Sequence, residues 1–199
     1  MPRLKNRSGL QRYLDLILRW HHKMKSSMSR FALGLIVGLI LLPLCGWLYF
    51  RFGYAPVATA ASPLPFEKQL AHMALNARIR KEAPKDSPVP ANDENYAAGV
   101  HVYRENCAVC HGLPGQRETP TAKGMYPAPP QLFKGHGVTD DPAGETYWKV
   151  TNGIRLTGMP AYTGALSKTE MWQVSLLLAY ADKLPPQVRK TLEEPLQEN

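Results

Sequence analysis

Residues 105–115 read ENCAVCHGLPG, a run that places two cysteines and a histidine, Cys107, Cys110 and His111, within one turn of chain. Donors of that kind, so close together, hold a metal, form a redox pair or anchor a cofactor. A structural zinc ion needs four ligands. The only other cysteine, Cys45, lies in an apolar run far upstream, so zinc would depend on scattered histidines. A thioredoxin-type pair belongs at the start of a helix that follows a strand, and no strand pattern precedes this one. A disulfide across so short a loop is strained and stabilises little. Cys-x-x-Cys-His is instead the attachment signature of a c-type haem, in which the two thiols add to the vinyl groups and the adjacent imidazole ligates the iron. The sequence therefore predicts one covalently attached haem c on Cys107, Cys110 and His111, with His111 on the metal.

Around this motif the pattern is helical wherever it is regular. DENYAAGVHVYREN, residues 93–106, reads as a helix capped by Asn92 or Asp93. AGETYWKVTNG, residues 143–153, reads as a second, ended by Asn152 and Gly153. SKTEMWQVSLLLAYADKL, residues 167–184, reads as a third, with Ser167 and Glu170 forming a capping box and Pro185 stopping it. Pro- and Gly-rich loops join them, with no alternating strand pattern and no internal repeat. The expected fold class is all-α. A domain of about 95 residues with so few helices has little core of its own, and a large buried cofactor would fill its centre.

With CAVCH, NGIRLTGMPAY and the Trp-bearing last helix on the page, residues 93–188 resemble a monohaem class I c-type cytochrome, a likeness covering about half the chain. In that family a loop methionine supplies the second axial ligand before the C-terminal helix. The resemblance assigns this role to Met159, between Gly158 and Pro160, with Met125 in KGMYP and His136 standing as rivals. It also implies that the first and last helices cross at Gly99 and Tyr103, with Trp172, Leu176 and Tyr180 facing them. Leu132, Phe133, Ile154 and Leu156 are expected as the apolar wall, and Arg155, Tyr147 and Trp148 as propionate donors.

Upstream, the formal net charge of +8 is concentrated in the head: residues 1–30 hold eight Lys or Arg and one acid, Asp15. The rest of the chain is close to neutral, so no nucleic-acid partner is expected, because phosphate recognition needs positive charge on the folded surface. FALGLIVGLILLPLCGWLYF, residues 31–50, carries no charge and is long enough to cross a bilayer core of about 30 Å. Trp47 and Tyr49 suit its interface. The basic head then lies in the cytoplasm, with everything after the span outside. Leu10, Leu14, Ile17 and Leu18 recur at helical spacing and would let the head lie on the anionic membrane face. A signal peptide cleaved at ATA, residues 58–60, and a later start at Met24 or Met28 remain open readings.

The expected organisation is a basic head (1–30), a transmembrane anchor (31–50), a Pro/Ala-rich linker (51–92) with one helix over 66–83, a haem domain (93–188) and a tail (189–199). The helix over 66–83 aligns Phe66, Leu70, Met73, Ala74 and Ala77 on one apolar face, which would pack either on the main domain or on a partner. Iron held on both sides leaves no open position, so no enzyme activity and no small-molecule substrate are expected. The expected function is an electron carrier anchored in a bacterial cytoplasmic membrane, its haem domain facing the periplasm, exchanging single electrons with redox proteins at the membrane. A haem subunit of a larger membrane oxidoreductase is the alternative. A five-coordinate sensor or peroxidase-like site follows if no methionine binds.

Overall fold

The structure, a computed structural model, describes residues 9–134 and 141–195. His136 lies outside the described residues, as do residues 1–8 and 196–199. Eight helices and no strand are present among the described residues: α1 (Gly9–Arg51), α2 (Glu67–Glu82), α3 (Asp93–Asn106), α4 (Ala108–His111), α5 (Pro120–Lys123), α6 (Ala143–Asn152), α7 (Lys168–Ala179) and α8 (Pro186–Glu193). The chain divides into two compact units, residues 1–56 and 57–199.

The first unit is α1. It is a single helix of 43 residues that joins the head and the apolar run, with Pro43 inside it. The stretch long and apolar enough to cross a membrane is Met28–Arg51, and its residues are not buried.

The second unit is built on the crossing of α3 and α7. Asn92 caps α3, accepting a bond from the Asn95 amide at 3.0 Å. Ser167 and Glu170 form the reciprocal capping box of α7, at 3.2 Å and 2.8 Å. Gly99 makes the crossing possible: a Cβ there would sit 2.4 Å from the Gln173 carbonyl oxygen and 3.1 Å from Leu177 Cβ. The crossing face of α7 at this glycine is therefore Gln173 and Leu177. Among the residues expected there, Trp172 instead stacks on Tyr147 of α6, ring centroids 4.1 Å apart, and Tyr180 meets Tyr96 nearer the start of α3. Val100, Tyr103, Val174 and Leu177 are fully buried in this core, each apolar side chain contributing about 1.5–3 kcal/mol.

Two segments read as appendages belong to this unit. α8 runs across residue 188 and buries Val188 and Leu192. The Arg104 guanidinium holds it by donating to the carbonyls of Thr191 at 3.1 Å, Glu194 at 2.5 Å and Pro195 at 3.2 Å. α2 packs through Leu75 and Ile79, leaving Phe66, Leu70, Met73, Ala74 and Ala77 exposed, so the apolar face aligned in the sequence is not the one that packs on this unit. Glu82 at its end accepts a bond from the Trp148 indole at 3.1 Å. Pro84 and Val89, in the stretch after α2, also pack on this unit: a Cβ on Gly144 would lie 1.8 Å from the Pro84 carbonyl oxygen, and Val89 rests on the core.

Candidate haem-binding site

The end of α3 delivers the motif. Cys107 closes α3 and opens the single turn of α4, which carries Ala108, Cys110 and His111. Gly112 follows at φ 73°, a left-handed turn that glycine adopts without strain, and its carbonyl accepts a bond from the buried Tyr103 hydroxyl at 2.7 Å. The motif is thus tied to the α3 core by a buried side chain. Phe133 packs edge-on against the Tyr103 ring at 5.1 Å.

His111 is oriented by a neighbour the sequence reading did not name. Its Nδ1 lies 2.8 Å from the Pro130 carbonyl oxygen. A carbonyl can only accept, so Nδ1 carries the proton and the Nε2 lone pair is left for a metal. Burial lowers the His111 pKa, an effect the Pro130 bond partly opposes, and so favours the neutral, ligating form. The Pro-Pro pair before Gln131 was the available signal, since a proline-fixed turn presents its carbonyls in a set direction.

Both motif cysteines are free thiols. Burial, and secondarily Cys110, pushes the Cys107 thiol up to about 12. That is opposite to the depressed value of a catalytic dithiol, which needs a ready thiolate. Among the described residues no three His, Cys, Asp or Glu side chains converge as a zinc site would require.

The methionine loop returns against this turn. α6 ends at Gly153 (φ +66°), where a Cβ would fall 2.6 Å from the Ala161 amide nitrogen, so only glycine lets the two ends of the loop meet. The loop is closed by Ile154 N–H donating to the Met159 carbonyl at 3.2 Å, and the Thr157 hydroxyl accepts from the Met159 amide at 3.1 Å. Tyr162 then donates its hydroxyl to the Asn106 carbonyl, beside Cys107, at 2.9 Å. Met159, Tyr162, Cys107 and Phe133 are half-buried and pack against the core to which Leu132 belongs. Tyr162 and Thr157 had no role in the sequence reading. Tyr162 stands in the quoted MPAY, where a large polar aromatic after the methionine was the only hint.

A family model described as cytochrome c oxidase, cbb3-type, subunit III, matches residues 94–177, from the first turn of α3 through most of α7. Residues 94–177 form a class I c-type cytochrome domain. A comparison with curated proteins finds no match. The cytochrome domain supports haem binding and electron transfer, and the apolar helix preceding it suggests membrane anchoring. The match leaves α1, α2 and α8 outside.

The packing bears on several residues expected around the cytochrome site. Leu156 does not line the site: it is 92% exposed at φ 62°. The Trp148 indole is committed to Glu82 and Tyr147 is stacked on Trp172, while Arg155 is exposed. His101 is exposed on α3. Met125 lies against the methionine loop, its Cε 1.8 Å from where a Cβ on Gly158 would be, so Gly158 leaves room for a second thioether beside the first.

Proposed function

We propose that this chain is a membrane-anchored electron carrier. Its single haem c is bound through the Cys107 and Cys110 sulfurs, and its iron is held by His111 and Met159. The observation that carries the reading is the 2.8 Å contact of His111 Nδ1 with Pro130, which leaves Nε2 as a free lone pair in the turn that holds both thiols. Met159 is favoured over Met125 because its own loop fixes it: its amide bonds Thr157 and its carbonyl accepts from Ile154. When bound, the haem supplies an iron that takes up and releases one electron. The chain's residues keep His111 neutral and oriented, exclude water with Leu132 and Phe133, and hold a soft thioether on a closed loop.

The bilayer partner is the Met28–Arg51 stretch of α1, with the basic head on the cytoplasmic side and the cytochrome domain in the periplasm of a bacterial cytoplasmic membrane. Donor and acceptor are redox proteins at that membrane. The tether is short, because Pro84 and Val89 pack on the domain and the irregular stretch runs from Phe52 to Phe66.

A second reading, a fixed subunit of a membrane oxidoreductase, is favoured by the matching family, that of subunit III of cbb3-type cytochrome c oxidase. Purification in mild detergent separates the two. A free carrier is recovered alone with a haem spectrum, and a subunit is recovered in a fixed ratio with a catalytic chain.

A further inference from the structure

The single turn of α5 and the residues that leave it have no role in the electron-carrier reading, yet they touch both halves of the site. Thr119 caps α5, its hydroxyl oxygen accepting from the Ala122 amide at 3.1 Å. The same hydroxyl donates to the Val109 carbonyl at 2.7 Å. Val109 stands between Cys107 and Cys110, so α5 is bonded directly to the turn that carries His111. Ala122 is fully buried, and the Gly124 and Met125 amides donate to the carbonyls of Thr121 and Ala122, each at 3.1 Å. Met125 therefore leaves α5 from a fixed point.

The Met125 side chain ends on the methionine loop. A Cβ on Gly158 would fall 1.8 Å from Met125 Cε, 3.4 Å from Sδ and 3.9 Å from Cγ, and these are the three nearest atoms it would meet. The closest cover of Gly158, the residue before Met159, is thus Met125. Gly158 is not among the positive-φ glycines, so glycine is needed there for space and not for backbone conformation. Bonds within the loop fix its shape through Ile154 and Thr157. They do not fix where the loop lies relative to the turn of His111. Two contacts do that, on either side of Met159: the Tyr162 hydroxyl bonded to the Asn106 carbonyl, and Met125 seated on Gly158.

We propose that Met125 is a positioning residue, the outer end of a brace that runs from the Val109 carbonyl through Thr119 and α5 to Gly158 and holds the loop of Met159 to the turn of His111. The proposal rests on the electron-carrier reading, with His111 and Met159 as the iron ligands. A thioether is a weak ligand, and its bond to iron persists only where other contacts keep its loop closed. The second methionine then supports the first instead of competing with it for the metal. Its contribution is bulk and reach, so leucine should replace it and alanine should not.

The test uses the full haem-loaded chain in mild detergent. Imidazole added to the oxidised protein replaces the methionine only when the loop opens, so its binding rate, followed by loss of the sulfur-to-iron band, reads the open population. Met125→Ala should keep the band before imidazole is added and bind imidazole about tenfold faster than the parent, because the lost contact exists only in the closed loop. Met125→Leu should bind at the parent's rate. Gly158→Ala should speed binding in the parent, where its Cβ displaces the Met125 methyl, and add nothing in Met125→Ala, where that neighbour is gone. Thr119→Val, which cuts the brace at its other end, should also speed binding. A parent-like rate in Met125→Ala or in Thr119→Val overturns the brace, and so does a Gly158→Ala effect that persists in Met125→Ala. Met125→Leu as fast as Met125→Ala overturns it too, by giving the role to the sulfur. Amide exchange over residues 154–159 makes the same comparisons independently of the iron. If the parent shows no sulfur-to-iron band, the reading of Met159 as ligand fails. Exchange about tenfold faster in Met125→Ala than in the parent then still upholds the brace, and equal exchange overturns it.

Discussion

Replacing Gly99 by alanine tests the geometry on which the whole domain depends. The added Cβ would lie 2.4 Å from the Gln173 carbonyl oxygen and 2.8 Å from its carbon, both backbone atoms that cannot rotate away. Reaching 3.0–3.4 Å requires α3 and α7 to separate by 0.6–1.0 Å at their closest point. Overpacking of this kind costs about 1–3 kcal/mol. Alanine recovers about 0.5–1 kcal/mol of helix propensity, so the net loss is about 1–2 kcal/mol. For a domain of this size that lowers the melting temperature by roughly 4–8 °C. Thermal unfolding of the haem-loaded protein, followed by circular dichroism, measures it, with Ala98→Gly on the same helix as a propensity control. A Gly99→Ala protein as stable as the parent, or more so, would refute the close crossing.

Gly144→Ala, whose Cβ would fall 1.8 Å from the Pro84 carbonyl oxygen, should release α2, seen as faster amide exchange over residues 67–82 with α3 and α7 still protected. Ser167→Ala should cost about 1 kcal/mol by removing the cap of α7, read from denaturant midpoints. Glu170 is held below the ordinary carboxylate range by its hydrogen bonds to Ser167, so its contribution is complete above the unfolded pKa and is lost as pH falls through the lower folded value. The stability difference between the parent and Glu170→Gln should therefore be present at neutral pH and vanish in acid. Deleting residues 54–64 should slow haem cycling in membranes while leaving the spectrum unchanged, because the tether can then no longer span the distance between partners.

The caps and the motif were legible because each is a local code. Asn92, Ser167 with Glu170, and Cys-x-x-Cys-His specify bonds a few residues away, and the structure forms the first two as written. Register around a helix was less legible where contrast is low. In EMWQVSLLLAY nearly every side is apolar, so reading Trp172 and Leu176 as the face at Gly99, where Gln173 and Leu177 lie, was a slip of one position, while Tyr180 does meet α3, at Tyr96. α2 was open to two readings for a related reason: it has two apolar sides, and the better-populated one faces outward. α8 was hidden because its core contacts, Val188 and Leu192, are sparse among charged residues and depend on Arg104, far away in sequence. Leu156 could not have been read as exposed, since only the closure of its loop turns it out. The haem-site residues Pro130, Thr157 and Tyr162 act through backbone contacts that no spacing encodes.

The most direct measurement is the visible spectrum of the purified protein, oxidised and reduced, with and without carbon monoxide, for the parent, Met159→Ala and Met125→Ala. The account predicts a haem that resists acid–acetone extraction, a weak sulfur-to-iron band near the red end in the parent and Met125→Ala, and no carbon monoxide binding in either. Met159→Ala should lose the band, bind carbon monoxide and fall in potential. An extractable haem, carbon monoxide binding by the parent, or loss of the band in Met125→Ala instead would contradict it.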